Sequence, residues 1–186
     1  MKKAGVIFVL LLVLTGCSQG SSELRQGMAL RSKLSQASSI TFDADITADY
    51  GQTVHNFSMA CQSDSLGNLT FTVTAPETIS GITGTVSQEG GKLTFEDTAL
   101  QFDTLAEDQV TPITAPWILV KTLLGGYLTS ACTEEDTVRL SIDDRYEEDA
   151  LHLDIWLDEE SLPSRADIFY DDRRILSLTV KNFTVV

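Results

Sequence analysis

The residues with the clearest chemistry in this 186-residue chain lie near its start, in the segment Leu14–Cys17. A cysteine directly after a small residue is the pattern in which the thiol takes a diacylglycerol and becomes the N-terminus of the mature chain. An apolar run, Val6–Leu14, precedes it behind Lys2 and Lys3. A basic start, an apolar stretch and a small residue before the cut make up a secretory signal. The segment therefore predicts a lipoprotein signal with lipid attached at Cys17.

This interpretation divides the chain into a signal peptide over 1–16, a lipidated N-terminus and tether over 17–22, and one domain over 23–186. The apolar run has nine residues, whereas a membrane-spanning helix needs about 20. We therefore expect cleavage rather than a membrane span. The mature protein is predicted to lie on the extracytoplasmic face of a cell membrane, held there by the diacylglycerol on Cys17.

The charge of the chain restricts its partners. The formal net charge is −14, and loss of Lys2 and Lys3 with the signal leaves 11 basic against 27 acidic side chains. Nucleic-acid binding needs clustered basic residues, so this composition argues against it. An anionic lipid surface should also repel the protein. The acyl chains on Cys17 must therefore hold the protein to the membrane.

Two further cysteines, Cys61 and Cys132, remain once Cys17 is assigned to lipid. An oxidising compartment permits a disulfide between them. Two free thiols are the alternative, and the sequence does not choose between the two.

Other residue types that could support catalysis or bind metal form no recognisable site. His55 and His152 are the only histidines, each on an alternating strand pattern, and no Gly-x-Ser-x-Gly nucleophile elbow is present. Acidic clusters such as Asp143–Asp144 and Asp158–Glu160 lack the glycine-centred spacing of a calcium loop. We interpret these clusters as hairpin tips, and predict a protein that is not an enzyme and has no metal site or cofactor.

The patterns that would position any site are mostly those of strands. Ser22–Gln36 has apolar residues at three- and four-residue steps, which predicts a helix. Ile40–Tyr50 alternates apolar and polar residues along its whole length, which predicts a strand with one buried face. Further strands are predicted at His55–Cys61, Leu69–Val73, Gly81–Gln88, Lys92–Glu96, Leu100–Thr104, Val138–Ile142, Leu151–Leu157, Arg165–Tyr170 and Ile175–Val185.

The exception is Thr114–Leu128, where Pro116 suits a first helical turn and the following residues are apolar nearly all round. A helix without a polar face is buried on several sides. This one is too short to span a bilayer, so we expect a curved sheet to wrap it. The predicted fold class is α+β: a curved antiparallel sheet, as in a half-open β-barrel, with an N-terminal helix and a buried central helix.

This order of elements resembles the LolA/LolB lipoprotein-carrier superfamily. The resemblance is closer to its relatives in single-membrane bacteria, the GerS-like and other clostridial lipoproteins. It covers most of residues 22–186. It is found in the stretches Phe71–Glu77 with Gly81–Gly84, Thr111–Leu124, Leu162–Ile168 and Arg174–Phe183.

The resemblance implies a LolA-like half-barrel with an apolar hollow between sheet and helices. In the carriers this hollow shields acyl chains, and in the GerS branch such a domain serves a peptidoglycan amidase as a partner. The arginine that helps to gate the carriers has no clear counterpart here, which argues against lipoprotein trafficking itself.

Two functional hypotheses follow. In the first, the domain binds or carries a hydrophobic lipid or acyl ligand. In the second, it is a non-catalytic partner or activator of an envelope enzyme that processes peptidoglycan. The side chains predicted to line a ligand hollow are Phe42, Ile46, Phe57, Met59, Phe71, Phe95, Phe102, Trp117, Val120 and Leu124. The same side chains would form an ordinary core if the hollow is filled.

Overall fold

A computed structural model describes residues 20–88, 90–94 and 110–186 of the chain. The predicted lipidation site Cys17, the strand at 100–104 and the candidate hollow residues Phe95 and Phe102 lie outside the described residues.

The described residues form two helices and ten strands, with short 3₁₀ turns at Glu77–Ile79 and Pro112–Thr114. The helices are α1 (Gly20–Ser35) and α2 (Ala115–Gly125). The first five strands are β1 (Ser39–Asp49), β2 (Val54–Asp64), β3 (Leu69–Ala75), β4 (Thr83–Ser87) and β5 (Gly90–Thr94). The others are β6 (Tyr127–Glu134), β7 (Thr137–Asp143), β8 (His152–Leu157), β9 (Pro163–Tyr170) and β10 (Arg173–Val185).

All ten strands belong to one antiparallel sheet in the order β5-β4-β3-β2-β1-β10-β9-β8-β7-β6. The sheet is curved and unclosed, because β5 and β6 form its two ends and do not pair with each other among the described residues. The predicted α+β architecture, a curved antiparallel sheet with two helices, is therefore confirmed.

The inward face of the sheet carries the core. One row of inward residues crosses four strands, with Val180, Ala44, Met59 and Val73 in register, and all four are buried. Alternate residues of β1 are buried along the whole strand, as the sequence pattern predicted. The residues between them point to the outer face, which is polar.

Both helices cover the inward face. Helix α1 packs on β6 and β7, and α2 contacts α1, β2, β7 and β10. Helix α1 begins at Gly20, so residues 20–22, which the sequence analysis assigned to the tether, are helical.

The predicted extent of the central helix was wrong at its C-terminal end. Helix α2 ends at Gly125, and the residues from Tyr127 onward form β6, a strand that the sequence analysis missed. The N–H of Gly126 donates to the carbonyl of Thr122 (2.8 Å) and closes the last helical turn. The chain then turns directly into the sheet.

This helix-to-strand junction requires a residue without a side chain at position 126. A Cβ on Gly126 would lie 2.7 Å from the backbone oxygen of Asp143, whereas a Cβ on Gly125 would meet nothing within 4 Å. We expect Gly126→Ala to lower the free energy of unfolding by about 1–3 kcal/mol, because the backbone must shift to admit the methyl group. Gly125→Ala, the matched control, should change it by less than about 0.5 kcal/mol. Equal stability of the two variants in urea titrations would contradict the close approach of Gly126 to the backbone of Asp143.

Candidate functional site

Five of the side chains predicted to line a hollow are almost inaccessible to solvent. The exposed fractions are 3% for Phe42, 1% for Ile46, 1% for Met59, 3% for Phe71 and 1% for Val120. A side chain that borders a hollow wide enough for water would keep accessible surface. These five residues belong to the buried core of the described residues, and their role as the lining of a ligand hollow stays a prediction.

Helix α2 is the physical reason for this packing. Its side chains Ile118, Leu119, Val120 and Leu123 are at most 4% exposed and fill the curvature of the sheet as residues of a solid core do. The remaining described candidates, Phe57, Trp117 and Leu124, are half-buried and pack at the margin of this core.

A cleft remains open at this margin, beside Trp117. Its volume is about 540 Å³, within the usual range for small-molecule sites. Three elements supply its walls: α2, the turn between β2 and β3, and the end of β4. The lining residues include Leu66, Asn68, Ser87, Gln88, Trp117, Lys121 and Leu124.

The indole of Trp117 is held in place from two sides. Its Nε1–H donates to the carbonyl of Gly67 in the β2–β3 turn (3.0 Å). The ammonium of Lys121 lies 5.3 Å from the ring centroid, a distance at which a cation is attracted to the π face. The same ammonium lies 3.7 Å from a carboxylate oxygen of Asp144. These contacts orient the indole of Trp117 at the wall of the cleft.

A second cleft of about 380 Å³ adjoins the first and shares Trp117 and Lys121 with it. Its other walls include Val86, Ile118 and Leu151. The two clefts lie side by side along α2, and each is lined by both apolar and polar side chains, with the ammonium of Lys121 common to both. Such a surface suits an apolar chain that ends in a polar or anionic group.

The sequence patterns predicted Trp117 and Leu124 as lining residues and did not single out Leu66 or Lys121. Leu66 is 84% exposed at the β2–β3 turn. A large apolar residue within the turn Ser65–Asn68, where polar residues are the rule, was a signal that could have identified it. Lys121 was visible only as an interruption of the apolar helix.

Arg31 of α1 holds α2 at its C-terminal end. Its Nε donates to the carbonyl of Leu123 (2.8 Å) and its Nη2 to the carbonyl of Gly126 (2.8 Å). These oxygens are among the last carbonyls of a helix, which lack intrahelical partners. Burial lowers the pKa of the guanidinium from its ordinary value. Arg31 therefore ties the two helices together next to the cleft.

The structure has Cys61 and Cys132 as free thiols. Cys61 pairs in register with the buried Phe42 on the inward face. Cys132 lies opposite Arg139 on β7 and receives a hydrogen bond from its Nη2 (3.7 Å). The two thiols lie on strands six positions apart in the sheet, so the disulfide alternative is not the one found. Burial raises the pKa of the Cys61 thiol to about 12.

The two histidines and the acidic clusters build no metal centre or triad in the part of the chain that the structure describes. On the outer face, His152 Nδ1 lies 2.7 Å from Asp143 Oδ1. Within residues 20–88, 90–94 and 110–186, no group of three or more His, Cys, Asp or Glu side chains is arranged to hold a metal ion. Neither described helix is long and apolar enough to cross a membrane.

Comparison with known proteins gives similarity in structure alone. No family model and no curated protein matches the chain. Its structural neighbours include an uncharacterised conserved protein of Thermus thermophilus (8% identity, TM-score 0.47, 86% of each chain covered). A LolA superfamily protein of Nitrosomonas europaea matches with 10% identity and a TM-score of 0.42 over 86% of this chain and 93% of the other. The lipoprotein LppX of Mycobacterium tuberculosis matches with 14% identity and a TM-score of 0.40, over 87% and 93%.

Proposed function

We propose that this protein is a lipoprotein of the cell envelope, anchored by a diacylglycerol on Cys17, which binds one acyl chain in the cleft beside Trp117. The observation that supports this function is the cleft itself. Trp117, Leu66 and Leu124 leave apolar surface open on a half-barrel whose described interior is otherwise packed. Binding requires no cofactor and no catalytic group.

The size of the cleft limits the strength of binding. About ten buried methylenes would contribute roughly 8 kcal/mol before any cost is subtracted. Ordering of the chain and loss of its free motion reduce that sum. We therefore expect a dissociation constant in the micromolar range or weaker, which suits a ligand that must be released.

The lipid anchor is tested by Cys17→Ser. The variant cannot accept a diacylglycerol, and the described helices offer no membrane span. We expect it to move from the membrane pellet to the soluble fraction and to keep its circular dichroism spectrum. Recovery of Cys17→Ser in the pellet, after a salt wash that removes peripheral proteins, would refute the anchor.

The ligand is tested by native mass spectrometry of the Cys17→Ser protein purified without detergent, with organic extraction of whatever accompanies it. We expect a fraction of the protein to carry a single acyl adduct. Leu66→Glu places a charge on the wall of the cleft and should abolish the adduct. Thr179→Glu, exposed on β10 and away from the cleft, is the matched control and should retain it. A clean apo mass for the unaltered protein, even after incubation with palmitate, would contradict acyl binding.

A second candidate function is that of a partner or activator of an envelope enzyme that processes peptidoglycan, as the GerS-like resemblance implies. This function requires no hollow, so it is compatible with the packed core of the described residues. In that case Leu66 and Trp117 would contact the partner rather than a lipid. The apo mass described above, together with loss of partner activation in Leu66→Glu, would support this second function over the first.

A further inference from the structure

Helix α1 starts close to Cys17, the proposed site of the lipid anchor. The inference below rests on that anchor. Helix α1 begins at Gly20, and only Ser18 and Gln19 separate it from Cys17. Three residue steps span at most about 11 Å even when fully extended. If Cys17 carries acyl chains in the bilayer, the first turns of α1 must lie at the membrane surface.

These turns expose large apolar side chains. Leu24 is 43% exposed and Met28 is 53% exposed. Residues four apart lie on one face of a helix, one turn above the other. The buried face of α1 is a different one, formed by Gly27, Leu30 and Leu34 against the sheet. Leu24 and Met28 therefore form an apolar strip of which about half of the surface is open to solvent.

The charge of α1 is opposite to that of the rest of the protein. The helix carries three basic side chains, Arg25, Arg31 and Lys33, against the single carboxylate of Glu23. Residues 36–186 carry 26 acidic and 8 basic side chains. Basic residues are attracted to anionic headgroups and acidic ones are repelled. The domain thus has one element whose charge favours contact with a membrane.

The carboxylate of Glu23 is turned away from the exposed strip. It is 8% exposed and accepts a hydrogen bond from the Thr133 hydroxyl on β6 (3.0 Å). Hydrogen bonds from its own backbone N–H and from the Ser22 hydroxyl lower the pKa of Glu23, so it is charged but inward. Arg25 follows Leu24 and is exposed. Glu23, the single acidic residue of α1, is buried.

We propose that the first two turns of α1 are a second membrane contact, with Leu24 and Met28 in the boundary between headgroups and acyl chains and Arg25 at anionic headgroups. Interfacial helices combine an apolar strip with basic residues in this way. The contact orients the domain, because it brings the basic helix to the bilayer and leaves the acidic residues of 36–186 at a greater distance. The short tether alone brings the start of α1 near the bilayer, whereas the contact through Leu24 and Met28 also fixes which side of the helix faces it.

The test uses lipidated full-length protein in phosphatidylglycerol vesicles that contain nitroxide-labelled lipid. Cys132→Ser removes the half-buried thiol, and burial protects Cys61 from labelling. A fluorophore is then attached to Met28→Cys, to Ala29→Cys on another exposed side of the same helical turn, or to Thr70→Cys on the outer face of the sheet. We expect several-fold stronger quenching at position 28 than at position 70, with position 29 intermediate.

The outcomes separate the anchor from the docking contact. A chain that does not pellet with the vesicles overturns the anchor and the docking inference with it. A chain that pellets but shows equal quenching at positions 28 and 29 overturns the docking inference alone, because the tether by itself brings both positions near the bilayer. Leu24→Ser should reduce quenching at position 28, whereas Val54→Ser, which removes an apolar side chain 58% exposed on β2, should leave it unchanged.

Discussion

Replacement of Leu119 by alanine is expected to lower the free energy of unfolding by about 2–5 kcal/mol. Leu119 has no accessible surface and lies in the middle of α2, the helix around which the sheet curves. Its loss removes buried apolar surface and leaves a cavity in a core that cannot fully collapse. The measurement is a urea titration of the Cys17→Ser protein, extrapolated linearly to water.

The matched control for this prediction is Leu24→Ala on α1. Leu24 is 43% exposed, so in the absence of membranes its removal should cost less than about 0.5 kcal/mol. A cost for Leu119→Ala below about 1 kcal/mol, well under the usual range for a buried leucine, would mean that the sheet does not wrap α2 tightly. The packed interior described above would then be wrong.

Replacement of Arg31 by alanine is expected to lower the free energy of unfolding by about 2–3 kcal/mol, since a hydrogen bond from a charged donor contributes about 1.5–3 kcal/mol. Arg31 makes two such bonds at 2.8 Å to carbonyls at the end of α2. Arg31→Lys should retain part of this stability, since an ammonium keeps the charge but not the two-pronged geometry. The measurement is again a urea titration.

The control for Arg31 is Arg25→Ala, six residues earlier on the same helix and exposed. Its removal should change stability in solution by less than about 0.5 kcal/mol. Hydrogen exchange provides a second readout, since loss of the Arg31 contacts should increase exchange at Gly126 and the last turn of α2. Equal effects of the Arg25 and Arg31 substitutions would contradict the role given to Arg31.

The sheet was predictable from the sequence where one face is buried and the other solvated. Alternation from Ile40 to Tyr50 predicted β1 almost to the residue. The strand β6 was missed for a physical reason. The apolar run of α2 continues past Gly125 and Gly126 to Leu128, so the helical pattern masked the start of a strand. The glycine pair was the stop signal, because Gly126 alone allows the close approach to Asp143.

The site was less predictable than the fold. An apolar inward face has the same residue pattern whether the space before it is hollow or filled. Phe42 and Met59 therefore could not be assigned to core or cavity until the position of α2 was known. Trp117 and Leu124 were predicted to line a hollow, and their half-exposure depends on how far the β2–β3 turn reaches over α2. Leu66, at the tip of that turn, was overlooked for the same reason.

The most direct test of acyl binding beside Trp117 is quenching of its fluorescence by a dibrominated fatty acid. The chain has two tryptophans. The second, Trp156, lies on the outer face of the sheet, where the guanidinium carbon of Arg165 is 4.4 Å from the centroid of the Trp156 ring. Trp156→Phe therefore leaves Trp117 as the sole reporter, and Trp117→Phe leaves Trp156 as the matched control. We predict saturable quenching in Trp156→Phe and none in Trp117→Phe. Absence of quenching in Trp156→Phe, or equal quenching in both variants, would contradict an acyl site beside Trp117.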